Sequence, residues 1–230
     1  MKFEFCHKNL VEKSFRTDSI KTAYDIKGEK FEKHFSGEIP IENVDWKIGL
    51  IVGSSGSGKS SIANRCFEGQ LTKLDWEKSD QGQPFIEDFD QSASMESIQQ
   101  VLGSVGFSSP IDWLKPFHVL SNGEKMRAEL ARHILSKQSL IVYDEFTSVV
   151  DRQVASITSH AVQKAIRRHG KQFVAISCHR DIVDWLQPDW VYDTDEQRFF
   201  FTRKTNDQAL KPGLSSATNR YGSVLLSITI

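Results

Sequence analysis

The sequence predicts an α/β fold with a largely parallel central sheet, and two observations carry that prediction. Apolar runs of strand length at 46–52, 140–143 and 172–177 alternate with longer stretches of helical spacing. A glycine-rich loop, residues 53–60, also lies where the first of those runs ends and a helical pattern begins.

Taken in order, residues 1–45 are mixed and charged and read as short strands. The run 46–52 (WKIGLIV) is a buried strand ending at glycine, and 60–67 follows as a helix. Residues 69–92 are polar and irregular. Ser94 is placed to cap a helix with Ile98, Val101, Leu102 and Val105 on its apolar face, and Ser109-Pro110 opens a short helix through Leu114. Met126, Leu130 and Ile134, with Ala131 and Leu135 beside them, make one apolar stripe.

The strand 140–143 runs into Asp144-Glu145. A long helix over 151–169 is expected to bury Val154, Ile157, Ala161, Val162, Ala165 and Ile166, and to end at Arg167-Arg168-His169 before a terminating Gly170. A strand at 172–177, a short helix at 181–186 stopped by Pro188, and paired strands at 190–192 and 199–202 complete the pattern. Residues 203–223 read as a polar arm and 224–230 as one further strand.

Composition narrows the function. The chain has 230 residues, 29 basic against 30 acidic side chains and a net charge of -1, so no global field favours nucleic acid or an anionic membrane. Three scattered cysteines, Cys6, Cys66 and Cys178, give neither a disulfide framework nor a paired metal motif. No leader pattern or membrane-length apolar run is visible, and the expectation is a cytoplasmic protein.

Residues 53–60, Gly53-Ser54-Ser55-Gly56-Ser57-Gly58-Lys59-Ser60, fit G-x-x-x-x-G-K-S/T. Glycines allow the backbone to form a nest of N–H groups around phosphate oxygens. Lys59 supplies a point charge, Ser60 a hydroxyl for Mg²⁺, and Ser61 continues the helix whose positive end faces the anion. Asp144 is placed to hold Mg²⁺, and Glu145 to act as general base on an attacking water. Residues 120–124 (LSNGE) open the 126/130/134 helix, where Ser121 and Asn122 are good cap types, so a second anion site is expected at its uncovered N–H groups.

In this order the motifs resemble those of ABC-type ATPases. The 120–124 segment is similar to the signature LSGGQ, and Ser121 precedes Asp144 by 23 residues. The segment 147–151 ending at Asp151 resembles the D-loop, and His179 resembles the switch histidine that contacts a γ-phosphate. Asn122 and Glu124 depart from the signature. Asn tolerates left-handed backbone, whereas Glu124 adds negative charge beside phosphates. No Q-loop glutamine stands out, and Asp88 (also a candidate metal ligand) or Gln91 falls where one is expected. Tyr24 is a candidate for stacking on adenine, with a core aromatic as the alternative.

Lys59 and Ser121 are 62 residues apart, which leaves no room for a coiled coil or a full transporter-coupling subdomain. From about residue 15 to 195 the pattern is similar to soluble ABC-type ATPases that are often fused to an acetyltransferase (GNAT) domain.

The resemblance implies a P-loop NTPase ABC-type core over 1–202, with an N-terminal β subdomain, a short α-helical subdomain over about 88–136, and an arm over 203–230. It implies ATP and Mg²⁺ as cofactors. One chain would present residues 53–61, Asp144, Glu145 and His179, and a second would present Ser121 and Gly123, in an ATP-dependent homodimer, with Asn122, Glu124 and Asp151 as further nucleotide-binding candidates. Any acetyltransferase would be a separate partner. Lys164, Arg167, Arg168 and Lys171, with Arg203, Lys204, Lys211 and Arg220, are the only surfaces a DNA-linked switch could use.

Overall fold

The computed structural model of the protein describes residues 1–27, 30–71, 74–202, 214–218 and 224–228. Met1–Pro40 and Ile41–Ile230 are two compact units. The N-terminal β portion expected within 1–202 is thus a unit of its own.

In the first unit, β1 (Lys2–Leu10) pairs antiparallel with β2 (Lys30–Glu38), from Lys2 opposite Glu38 to Leu10 opposite Lys30. Phe5 and Phe35 stand opposite each other and stack at 4.9 Å. These strands are longer than the sequence suggests, and a helix, α1 (Phe15–Ala23), separates them. Periodicity is silent about α1 because it buries no residue. Its signal is local, a capping box in which Ser14 and Thr17 satisfy each other's backbone N–H.

The second unit begins with β3 (Ile48–Val52) and α2 (Lys59–Cys66). Then come α3 (Glu77–Asp80), α4 (Met95–Ser104), α5 (Pro110–Trp113) and α6 (Asn122–Leu135). Next are β4 (Leu140–Tyr143), α7 (Arg152–His169), β5 (Gln172–Ser177) and α8 (Ile182–Leu186). The strands β6 (Trp190–Asp193), β7 (Arg198–Phe201), β8 (Leu214–Thr218) and β9 (Val224–Ile228) close it. The sheet order is β4-β5-β3-β6-β7-β9-β8, with the first four strands parallel and the last three added antiparallel.

β3 is buried along its whole length because neighbours flank it on both edges and side chains cover both faces, which is why it reads as an unbroken apolar run. Each fully buried Ile or Leu there contributes about 1.5–3 kcal/mol. The α4 face is as expected, with Ser94 capping and Ile98, Val101, Leu102 and Val105 buried.

Residues 69–92 are less irregular than the sequence suggests. Phe85–Asp88 forms a single 3-10 turn, and Asp88 accepts the N–H groups of Lys78 and Ser79 at 2.9 Å each, holding the start of α3.

In α7 the buried face is rotated from expectation. Ala155, Thr158, Ser159, Val162, Gln163, Ala165 and Ile166 are inside, while Ile157 is 56% exposed. The helix packs on α6, and Arg127 of α6 donates to the Thr158 hydroxyl at 3.3 Å, which draws polar side chains inward. Gly170 ends α7 in the left-handed conformation, as expected. Most of the expected arm, including Arg203, Lys204, Lys211 and Arg220, lies outside the described residues.

Candidate nucleotide-binding site

Strand order builds the candidate site. β4, β5, β3 and β6 are consecutive neighbours, all parallel, so their carboxyl ends share one edge. Register keeps those ends nearly flush: Tyr143 pairs with Ala175, and Val52 pairs with both Ser177 and Asp193. Asp144-Glu145 leave β4, His179 follows β5, the 53–60 loop leaves β3 and Asp193 ends β6. With strands about 4.8 Å apart, the loop and the acidic pair are separated by the one strand that leads to His179. Open α/β sheets bind ligands at such carboxyl edges.

The 53–60 loop has the form an anion cradle requires. Gly56 and Gly58 adopt φ of 73° and 91°, where a side chain would be strained. Gly58 starts α2 with no side-chain cap hydrogen bond, as an anion-binding helix start requires. Lys59 folds back and donates to the Ser54 carbonyl at 2.7 Å, and Ser57 N–H donates to the same carbonyl at 3.2 Å. Ser60 is exposed at the second position of α2, with Ser61 next to it. The uncapped N–H groups and Lys59 fit a polyphosphate. The Ser60 hydroxyl and the Asp144 carboxylate are hard oxygen donors that fit Mg²⁺.

The turn after β4 is tightly specified. Glu145 and Thr147 both adopt positive φ, 52° and 65°, which is costly for side-chain-bearing residues and recurs at functional sites. Phe146 is fully buried between them, and its N–H donates to the Ile176 carbonyl at 2.8 Å, pinning the turn to β5. Glu145 is thereby exposed, and its N–H donates to Asp144 at 2.8 Å. His179 is half-buried, with its N–H donating to the Ser177 hydroxyl at 3.2 Å.

A cleft of about 720 Å³ opens beside the acidic pair, lined by Asp144, Glu145, Glu129, His133 and Tyr143, among others. The Tyr143 hydroxyl donates to Glu129 at 2.5 Å. Burial raises the pKa values of both Glu129 and Tyr143, and burial, with Arg132 adding to it, pushes His133 down to about 4.

At α6, Ser121 caps the helix as expected, but its N–H and hydroxyl both donate to Glu124, at 2.8 and 2.7 Å. The expected uncovered anion site is therefore partly filled by the chain's own carboxylate. Asn122 is the first helical residue and is not left-handed, so its tolerance of that conformation is not used. A Cβ on Gly123 would make ordinary contacts at 3.5 and 3.6 Å with Val154 and Val150. Asn122, Val149, Asp144 and Glu145 line one small cavity. Asp151 caps α7, accepting from Gln153 and Val154 at 3.0 and 2.9 Å.

Two expectations change. Asp88 is not brought to the acidic pair. Both its oxygens are taken by α3 N–H groups, and with Gln91 it lines a separate cavity that contains neither Asp144 nor Glu145. Tyr24 is not a core aromatic, being 76% exposed at the end of α1.

The basic surface also shrinks. Arg167 pairs with Asp189 at 3.0 Å, and Lys171 donates to the Ser136 and Gln138 carbonyls at 2.7 and 2.6 Å.

The next group is one that sequence reasoning missed. Thr194 and Asp195, just after β6, reach the 53–60 loop, and Arg180 joins Asp195 to Asp193 at the strand's end. Partial burial raises the Asp195 pKa, but bonds from Ser54 and Arg180 outweigh it and hold the carboxyl below its ordinary range. Two aspartates flanking a threonine after a strand were the available signal. Without the strand order nothing tied them to the loop.

The mixed α/β fold with its parallel sheet is the ABC-cassette fold. Solved structures agree. The ATP-binding cassette MJ0796, in a dimeric post-hydrolysis state bound to ADP and Pi, matches with TM-score 0.50 at 17% identity, over 74% of this chain and 89% of that one. The cassette cbiO1 from Clostridium perfringens, part of the ABC transporter complex cbiONQ, matches with TM-score 0.50 at 17% identity, over 72% and 78%. A putative metal-chelate type ABC transporter in an inward-facing conformation matches with TM-score 0.50 at 15% identity, over 87% and 91%. No protein-family model matches the chain, and no curated protein matches it in sequence. No helix among the described residues is long and apolar enough to cross a membrane.

Proposed function

We propose that this protein is an ABC-type ATPase that binds Mg-ATP and closes head to tail on a second copy of itself, hydrolysing ATP to drive or gate a partner's activity. The observation that carries the reading is the β4-β5-β3-β6 order, which gathers the glycine-rich loop, the acidic pair and His179 on one sheet edge. The dimeric, ADP- and Pi-bound form of MJ0796 supports the assembly.

In this reading Lys59 and the loop N–H groups hold the phosphates. Ser60 and Asp144 hold Mg²⁺, which when bound neutralises phosphate charge. Glu145 takes the proton of the attacking water, and His179 orients against the γ-phosphate. Ser121 and Gly123 of the second copy complete the far side, so each closed dimer has two sites. An acetyltransferase is the first class of driven partner to seek by copurification.

The test is Glu145→Gln, which leaves the loop intact and removes the base. Sedimentation with Mg-ATP is expected to show a stable dimer that wild type forms only transiently. A variant that binds Mg-ATP and stays monomeric overturns the clamp.

A further inference from the structure

The two residues that follow β6, Thr194 and Asp195, grip the end of β3 and the glycine-rich loop. Thr194 N–H donates to the Val52 carbonyl at 2.8 Å, and its hydroxyl meets the Ser57 hydroxyl at 2.6 Å. Asp195 accepts from Ser54 twice, from the N–H at 2.8 Å and from the hydroxyl at 2.7 Å. The approach is close enough to dictate sequence, because a Cβ on Gly53 would fall 2.0 Å from the Thr194 hydroxyl oxygen.

The same residues hold the segment that carries His179. Arg180, the next residue, donates to Asp195 at 2.9 Å and to Asp193 at 3.1 Å, with a second, shorter bond to Asp193. Asp193 is buried, and it also accepts the N–H groups of Asp195 and Glu196 at 3.0 and 3.2 Å. One guanidinium therefore sits between two carboxylates. One of these grips the phosphate loop, and the other is built into the end of a central strand. Charge-assisted, multiply bonded pairs of this kind fix geometry better than single neutral bonds.

We infer that Asp195 and Arg180 are positioning residues that lock the 53–60 loop to the His179 segment, so that the two move as one part when nucleotide binds. This rests on the proposed reading of the loop as the phosphate site. Asp195 sets the shape of the loop through Ser54. Arg180 links that shape to the segment carrying His179. Loss of Asp195 frees the loop and unlinks the switch segment together. Loss of Arg180 chiefly unlinks the switch segment.

The experiment measures Mg-ATP affinity and steady-state hydrolysis for wild type, Ser54→Ala, Asp195→Ala, Asp195→Asn, Arg180→Ala and the Ser54→Ala/Asp195→Ala double variant, with thermal melts to confirm folding. Asp195→Ala is expected to weaken Mg-ATP binding at least fivefold and to lower kcat. Arg180→Ala is expected to lower kcat at least fivefold with KM within twofold of wild type. The double variant should bind no worse than Asp195→Ala alone, since both changes remove one contact. Asp195→Asn, which keeps an acceptor for the Ser54 N–H, should recover part of the affinity. Affinity unchanged in folded Asp195→Ala, or additive losses in the double variant, overturns the inference. Wild type that fails to bind Mg-ATP at all overturns the phosphate-site reading instead. Should Asp195→Ala not fold, the Asp195→Asn, Ser54→Ala and Arg180→Ala measurements decide, and wild-type affinity and kcat in all three overturn the inference.

Discussion

Ser121 gives both its N–H and its hydroxyl to a single oxygen of Glu124, at 2.8 and 2.7 Å. In the proposed dimer that hydroxyl is wanted by the partner's γ-phosphate, so a carboxylate competes with a phosphate for one donor. Glu124→Gln keeps an oxygen for the capping box and removes the charge. It is expected to tighten Mg-ATP-dependent dimerisation by about two- to fivefold, the span of about 0.3–1 kcal/mol for a charge at a helix start. Sedimentation equilibrium against ATP concentration checks it, and weaker assembly than wild type would remove Glu124 as a competitor.

Lys59 donates to the Ser54 carbonyl of its own loop, so the ammonium already lies over the place where phosphates are proposed to sit. Lys59→Ala removes the only ammonium or guanidinium group within residues 53–60. Mg-ATP affinity should fall at least tenfold, about 1.4 kcal/mol or more, while the melting temperature without nucleotide hardly moves. Titration with a fluorescent ATP analogue reads the first quantity and scanning fluorimetry the second. Undiminished affinity would count against the phosphate-site reading as a whole.

Tyr143 is the only hydrogen-bond donor the described residues show for the Glu129 carboxylate, at 2.5 Å, in a setting where burial raises the pKa of that acid. Tyr143→Phe takes the donor away and leaves a half-buried charge under-satisfied. The expected cost is about 1–3 kcal/mol at neutral pH. It should be smaller in acid, where Glu129 is protonated. Urea unfolding of both proteins at two pH values measures it, and an equal cost at both would show that the charge on Glu129 is not involved.

The parts of the fold that could be read from sequence are those where burial and chemistry repeat with a period. β3 is legible because both of its faces are covered, and α4 because Ser94 caps a stripe that is buried. The glycine-rich loop and the acidic pair are legible because each directly follows a strand that the sequence pattern already marks. α1 is not legible, since it buries nothing and only its Ser14–Thr17 cap marks it. The α7 face is misjudged because packing on α6 draws in Thr158, Ser159 and Gln163 and leaves Ile157 outside. Asp88 sits where a Q-loop residue is expected, yet the N–H groups of Lys78 and Ser79 claim it. The grip of Asp195 on Ser54 spans 141 residues and depends on β6 lying beside β3, a neighbour relation that no local pattern encodes.

His133 gives the clearest pH dependence. It is 5% exposed, its Nδ1 has no hydrogen-bond partner, and burial, with Arg132 adding to it, lowers its pKa from 6.5 to about 4. A base with a lowered folded-state pKa takes up its proton in the unfolded chain first. Between pH 6.5 and about 4 the unfolded state therefore binds more protons, and stability rises with pH across that window. Above 6.5 the ring is neutral in both states and costs nothing, and as pH falls towards 4 a penalty builds to about 3 kcal/mol at about 1.4 kcal/mol per pH unit. His133→Leu removes the titrating group and a ring nitrogen that lacks a partner, so its stability at pH 7 should equal or exceed that of wild type. Carboxylates elsewhere titrate in both proteins, and the difference between the two curves isolates His133. Urea unfolding from pH 7.5 to 4 should show wild type losing ground to the variant throughout the window, whereas parallel curves would mean that His133 is charged in the folded protein.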